Sequence, residues 1–172
     1  MGGYLLFDPD YRHYFAADGF PGPLSYQGRR DTLYRNRGDG TFQNISLSAG
    51  ITEDGHDAVA LADYNNDGWV DVFYNNLQNQ IHALFQNQAG EYFDYVSPAT
   101  NVAKLSRRFS GWSNGFIDYD NDGDADLFVA GVYANKLYRN NGDGTFTDQG
   151  APRGLVGPTH GQRQGRLVDL GA

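Results

Sequence analysis

"LYRNRGDGTF" at residues 33–42 returns nearly letter for letter as "LYRNNGDGTF" at residues 137–146. A looser copy, "LFQNQAGEYF", begins at Leu84, so the three starts lie 51 and 53 residues apart. Each copy sets two short β-favouring runs around a Gly-rich polar turn, the pattern of a hairpin. A fixed period of about fifty residues signals a solenoid or propeller.

A second repeated stretch sits between the hairpins. "DYNNDGWVD" (63–71) and "DYDNDGDAD" (118–126) begin 55 residues apart, and each is flanked by apolar runs. In the middle unit "DAVALA" (57–62) enters the acid loop and "WVDVFYN" (69–75) leaves it, with "HALFQ" (82–86) and "YFDYV" (92–96) following. The next unit matches with "NGFI" (114–117), "ADLFVA" (125–130), "KLYRN" (136–140) and "TFTDQ" (145–149). Four short antiparallel strands per repeat describe the blades of a β-propeller. The expected fold is therefore all-β, an incomplete array of about three four-stranded blades. Its expected limits are a half blade at 1–50, blades at 51–100 and 101–156, and the start of another at 157–172. Asp169 lies one 51-residue period beyond Asp118, where a further acid loop would open. Closed propellers typically have about four to eight blades, so the expected natural protein is longer.

Composition agrees with this class. The 172 residues include 23 Gly, 12 Tyr and 11 Phe, a mixture suited to short strands and tight turns. No long helical periodicity is present. The formal net charge of −8 argues against nucleic-acid partners and anionic membrane surfaces. No cysteine is available for a disulfide or a thiolate metal site. The opening "MGGYLLFDPD" has no basic region or apolar run of a signal peptide, and no stretch approaches a membrane span. The chain is then either cytosolic or lacks its natural start.

Five aspartates at alternate positions repel one another, which suggests a cation between them. Counting Asp118 as position 1, side-chain oxygens come from Asp118, Asp120 and Asp122 at positions 1, 3 and 5. Gly123 permits the bend, Asp124 offers its carbonyl at position 7, and Asp126 closes the set at position 9. The corresponding series is Asp63, Asn65, Asp67, the Trp69 carbonyl and Asp71. Hard oxygen ligands on a flexible loop suit Ca²⁺ better than Mg²⁺. Two structural calcium ions are expected, bound more tightly at the Asp118 loop, which has one carboxylate more. An EF-hand is excluded, because position 12 is Val129 or Tyr74 and the flanks are strands. The alternative is a pair of Asx-rich turns holding no ion.

The paired motifs "ALADYNNDGWVDVFYNN" and "FIDYDNDGDADLFVAG", each followed by a hairpin, resemble FG-GAP/VCBS repeats. "GPLSYQGRRDTLYRNRGDGTF" and "RRFSGWSNGFIDYDNDGDADLFVA" are similar to the cartilage-acidic-protein-like bacterial group, in which such repeats precede an ASPIC/UnbV domain. The resemblance implies a calcium-stabilised seven-bladed propeller, extracellular or periplasmic and used in adhesion or binding. Its metal positions fall on the ten loop residues named above. Its partners would be a protein or carbohydrate ligand, together with further blades and a C-terminal domain. The middle unit departs from the pattern, with "NQAGEYF" in place of "NGDGTF". The leading expectation is a non-catalytic binding scaffold; the alternative is the structural domain of a larger secreted enzyme.

Other features carry less. Arg37-Gly38-Asp39 spells an adhesive tripeptide, but its counterpart is Asn141-Gly142-Asp143, so it reads as a hairpin turn. Asn44-Ile45-Ser46 is a sequon at a strand end. His13, His56, His82 and His160 occupy unrelated phases of the repeat, and no HExxH pattern or Ser/His/Asp set is evident. Residues 11–30 lie outside the repeat and read as a blade connection in preference to an insertion loop bearing partner contacts.

Overall fold

The computed structural model describes Leu6 and residues 26–51, 58–77, 79–106, 109–131 and 134–155. The expected start of a further blade at 157–172, Asp169 included, lies outside these residues, as do His13, His56, His160 and most of the 11–30 segment.

Among the described residues, ten strands form three antiparallel sheets. A two-stranded hairpin comprises β1 (Tyr34–Asn36) and β2 (Phe42–Asn44). A four-stranded meander follows: β3 (Ala58–Ala62), β4 (Asp71–Asn75), β5 (Ala83–Gln88) and β6 (Tyr92–Tyr95). A second meander holds β7 (Gly111–Ile117), β8 (Asp126–Gly131), β9 (Asn135–Asn140) and β10 (Phe146–Asp148). The expected all-β class and the four-stranded units are both present. The array is propeller-like, and the described strands do not close into a barrel.

Alternation along β4 explains the stacking. Phe73 projects to one side of its sheet, and Val72 and Tyr74 project to the other; all three are buried. Phe73 and its cross-strand partner Leu84 join Leu127, Val129, Tyr138 and Phe146 of the next sheet in one cluster. Val72, Tyr74, Ala83 and Phe85 pack on the opposite side with Ile51 and Leu33. The middle sheet thus fills two cores, one on each face.

Ile51, Val102 and Leu155 stand 51 and 53 residues apart, the hairpin spacing again, and all three are buried just beyond the fourth strand position of their units. Around Val102 the chain coils into the short helix α1 (Val102–Ser106), which the periodicity did not reveal because five residues are too few to show a helical pattern. Thr100 anchors this segment across the interface by accepting from the Phe146 N–H at 3.0 Å.

The departure at "NQAGEYF" is a change of turn class. Ala89 (φ 54°) and Gly90 (φ 79°) are both left-handed, and Glu91 N–H donates to Gln88 O at 3.0 Å, as in a tight hairpin turn. The other two hairpins close through Arg37 N–H to Thr41 O and Asn141 N–H to Thr145 O, each 3.0 Å. Asp39 Oδ1 accepts from both the backbone and hydroxyl of Thr41, as Asp143 does from Thr145. The Asp of the Arg-Gly-Asp tripeptide is thereby engaged in its own turn.

Candidate metal centre

Each acid loop joins the first and second strands of its meander, so both open at the same end of the array. Asn66 (φ 58°) and Asn121 (φ 59°), at position 4, take the left-handed conformation that Asn tolerates, and Gly68 and Gly123 take it at position 6. Position 1 sits above the bend. Asp63 accepts from Asp67 N–H (3.0 Å) and Gly68 N–H (2.7 Å), and Asp118 accepts from Asp122 and Gly123 N–H, both 3.1 Å. These bonds fix the turn without an ion, as an Asx-rich turn requires.

Position 9 is the structural anchor of each loop. Asp71 is fully buried and accepts from Tyr64 N–H (3.1 Å) and Asn87 N–H (2.7 Å). Asp126, equally buried, accepts from Tyr119 N–H (3.1 Å) and Asn140 N–H (2.7 Å). Each thus ties its loop to the third strand of the same sheet. Burial pushes the Asp71 carboxyl up to about 6, against the pull of those two N–H groups, and neighbouring Asp67 and Asp63 add to the rise. Burial raises Asp126 likewise.

Position 3 differs between the loops. Asp118, Asp120 and Asp126 each offer a carboxylate oxygen within 4.8 Å of the others, the one such acidic or histidine group among the described residues. Asp120 Oδ1 is buried and has no hydrogen-bond partner, a costly state for a carboxylate oxygen. Its other oxygen accepts from Arg139 Nε at 2.7 Å, while Arg139 Nη2 reaches Asp122 Oδ2 at 2.8 Å. The guanidinium holds Asp120 below its ordinary value. In the other loop Asn65 turns its amide onto Asp67 Oδ2 at 2.8 Å. Burial would raise Asp67, but the Asn65 amide, the Trp69 N–H and the Gln86 amide together hold it low.

The ten expected positions thus divide. Asp118, Asp120 and Asp126 come together. Asp122 turns toward Arg139 and the Asp124 N–H, and Asp63, Asn65, Asp67 and Asp71 are engaged in hydrogen bonds within their own loop and sheet. The Asp124 side chain, which the ligand pattern leaves without a role, accepts from Asn66 Nδ2 at 2.7 Å and bridges the two loops. The Trp69 ring is half exposed beside Gly90.

Sequence reasoning missed the residues that hold the loops, namely Arg139, Asn140, Asn87 and Gln86. The "LYRN" and "LFQN" repeats mark these positions as recurrent without saying what they touch. Asn140 donates from Nδ2 to Tyr64 O (2.7 Å) and Ala125 O (3.3 Å), while Asn87 Nδ2 reaches Val70 O (3.0 Å). Asn140 thus extends from its own loop to the loop of the preceding sheet.

Sequence comparison agrees with this repeat. The FG-GAP-like repeat family matches at residues 15–74, 63–129 and 118–171, with successive matches overlapping at the two acid loops. Cartilage acidic protein 1 of Homo sapiens is 34% identical over 125 residues, covering 62% of this chain. The Mus musculus and Xenopus tropicalis proteins of the same name are 33% and 32% identical over 119 and 125 residues, again covering 62%. The match spans 17% of the length of each of these relatives. With three repeat matches running from residue 15 to residue 171, the chain belongs to the FG-GAP-like repeat family.

Proposed function

We propose that this chain is a non-catalytic, calcium-stabilised repeat module that presents a binding surface, each meander being one blade of a larger propeller. The observation that carries the metal reading is the buried, unpartnered Asp120 Oδ1 within the Asp118, Asp120 and Asp126 group. Several carboxylates around one oxygen-lined bend suit a hard divalent cation. Asp122 and the Asp124 carbonyl would complete that site, and Asp63, Asn65, Asp67, Asp71 and the Trp69 carbonyl would form the second.

Bound calcium supplies positive charge where the loops concentrate negative charge, and its role is structural. Two dications would halve the formal charge from −8 to −4. Binding to the folded form alone would stabilise it by about 2.7 kcal/mol when calcium is a hundredfold above Kd. An extracellular or periplasmic setting supplies such calcium, and the relatives are named for cartilage. No helix among the described residues is long and apolar enough to cross a membrane. The partners are further blades, a C-terminal domain, and a protein or carbohydrate ligand.

The test is calorimetric titration of chelated protein with calcium. Uptake of two ions per chain, with a higher melting temperature, is expected. No uptake at millimolar calcium by a folded chain would mean that these loops are ordinary turns.

A further inference from the structure

We infer that Arg139 sets the calcium affinity of the Asp118 loop, as a built-in cation that weakens binding there and makes that loop less dependent on metal. The inference rests on the calcium reading above. Arg139 Nε and Nη2 take the Oδ2 atoms of Asp120 and Asp122, at 2.7 and 2.8 Å. Asp120 Oδ1 stays free of any hydrogen-bond partner, and Asp122 Oδ1 accepts the Asp124 N–H at 3.0 Å. On Asp120 a metal and the guanidinium can therefore occupy opposite oxygens of one carboxylate. The ion does not have to displace the arginine; it has to bind beside it.

The repeat supplies the comparison. Gln86 occupies the equivalent place in "LFQN" and presents a neutral amide to Asp67. Asp118, Asp120, Asp122 and Asp126 carry four negative charges, which Arg139 reduces to three. Asp63, Asp67 and Asp71 carry three, with no arginine at the place of Gln86. The advantage expected from the extra carboxylate is thus offset by the adjoining strand.

Two effects oppose each other. Holding Asp120 and Asp122 in place favours binding by about threefold, through side-chain freedom already surrendered. One unit charge beside a divalent ion, even at water-like dielectric, opposes binding by about tenfold. Charge wins, and only the charge effect is screened by salt.

The experiment measures calcium binding by calorimetry in an Asp63→Asn background, which isolates the Asp118 loop. Arg139→Gln is expected to tighten binding by about tenfold at low salt, with most of the gain lost in about 1 M KCl. Arg139→Lys should stay within about threefold of the parent, since the charge remains. The reverse change, Gln86→Arg in the otherwise natural chain, should weaken the Asp63 loop by about tenfold, read by terbium emission sensitised through Trp69. In chelator, Arg139→Gln should melt at a lower temperature than the parent. Binding by the parent with unchanged or weaker affinity in Arg139→Gln would overturn the inference alone. No calcium uptake by any folded variant would overturn the calcium reading, and this inference with it.

Discussion

Asn140 Nδ2 lies 2.7 Å from the carbonyl oxygen of Tyr64, a contact across 76 positions of sequence. Its backbone N–H is at the same time held by Asp126, and Tyr64 N–H by Asp71. The position 9 acids of the two loops are therefore joined through two residues, Asn140 and the backbone of Tyr64.

Asn140→Ala removes the donor to Tyr64 and Ala125 and the acceptor for Gly142 N–H, all in a buried place. The expected loss is about 2–3 kcal/mol. Asn87→Ala should cost about 1 kcal/mol, because its amide reaches only within its own sheet. Urea unfolding of the two variants checks this; equal losses would mean that the contact between units contributes nothing.

The two kinds of acid should separate in chelator. Asp126→Asn turns an N–H₂ group toward one of two backbone donors, and is expected to cost about 1–3 kcal/mol with no metal present. Asp120→Asn weakens only a partly exposed ion pair and should cost at most about 1 kcal/mol there. Both variants should lose the calcium-induced rise in melting temperature contributed by their loop. A full calcium response in Asp120→Asn would remove that residue from the ligand set.

Stability should move with pH in opposite directions with and without calcium. With its carboxyl pushed up to about 6, folded Asp71 holds a proton more tightly than the unfolded chain, where the value is 3.8. The Asp71 contribution to metal-free stability is therefore greatest below about 4 and lost as pH rises through about 6. Calcium needs the ionised carboxylate, so its stabilising effect should shrink as pH falls through the same window. Melting curves at about pH 5 and pH 7, with calcium and with chelator, measure both trends. Asp71→Asn should abolish this pH component.

Glycine tolerance should follow the space around the backbone. A Cβ at Gly111 would stand 2.7 Å from Val129 Cγ1 and 2.8 Å from Asn75 Nδ2, so Gly111→Ala should cost about 1–3 kcal/mol. Gly115 meets nothing within 4 Å and has Ala60 as its counterpart in β3. Gly115→Ala should be stabilising by about 0.4–1 kcal/mol, through lost freedom in the unfolded chain. Thermal denaturation that ranks the two the other way would contradict this packing.

Strands were legible because each is a short β-favouring run bounded by Gly, Asn and Asp, and the repeat supplied two independent views of the unit. The loop acids were legible because aspartates at alternate positions repel one another, a cost that a chain seldom carries without a positive charge nearby. What remained hidden depends on contacts far apart in the chain. Nothing around Arg139 says that its guanidinium crosses to a loop 19 positions earlier, and nothing around Asn140 points back to Tyr64. The buried series Ile51, Val102 and Leu155 was hidden for a different reason. Single aliphatic residues in turns carry no periodicity of their own, and only alignment to the hairpin spacing reveals them.

The two clusters flanking β4 mean that the middle sheet lies between two cores and shares the larger one with the sheet that follows. The larger cluster is shared by the two four-stranded sheets, so these two are coupled energetically like neighbours in a one-dimensional lattice. A lesion at Phe73 should then lower hydrogen-exchange protection in β8 and β9 as well as in its own sheet. Severing the chain between β6 and β7 would split the larger cluster and strand Phe73 and Leu84 in water. A pair of adjoining sheets is therefore the smallest piece expected to fold by itself, since one sheet alone would expose its half of the shared cluster.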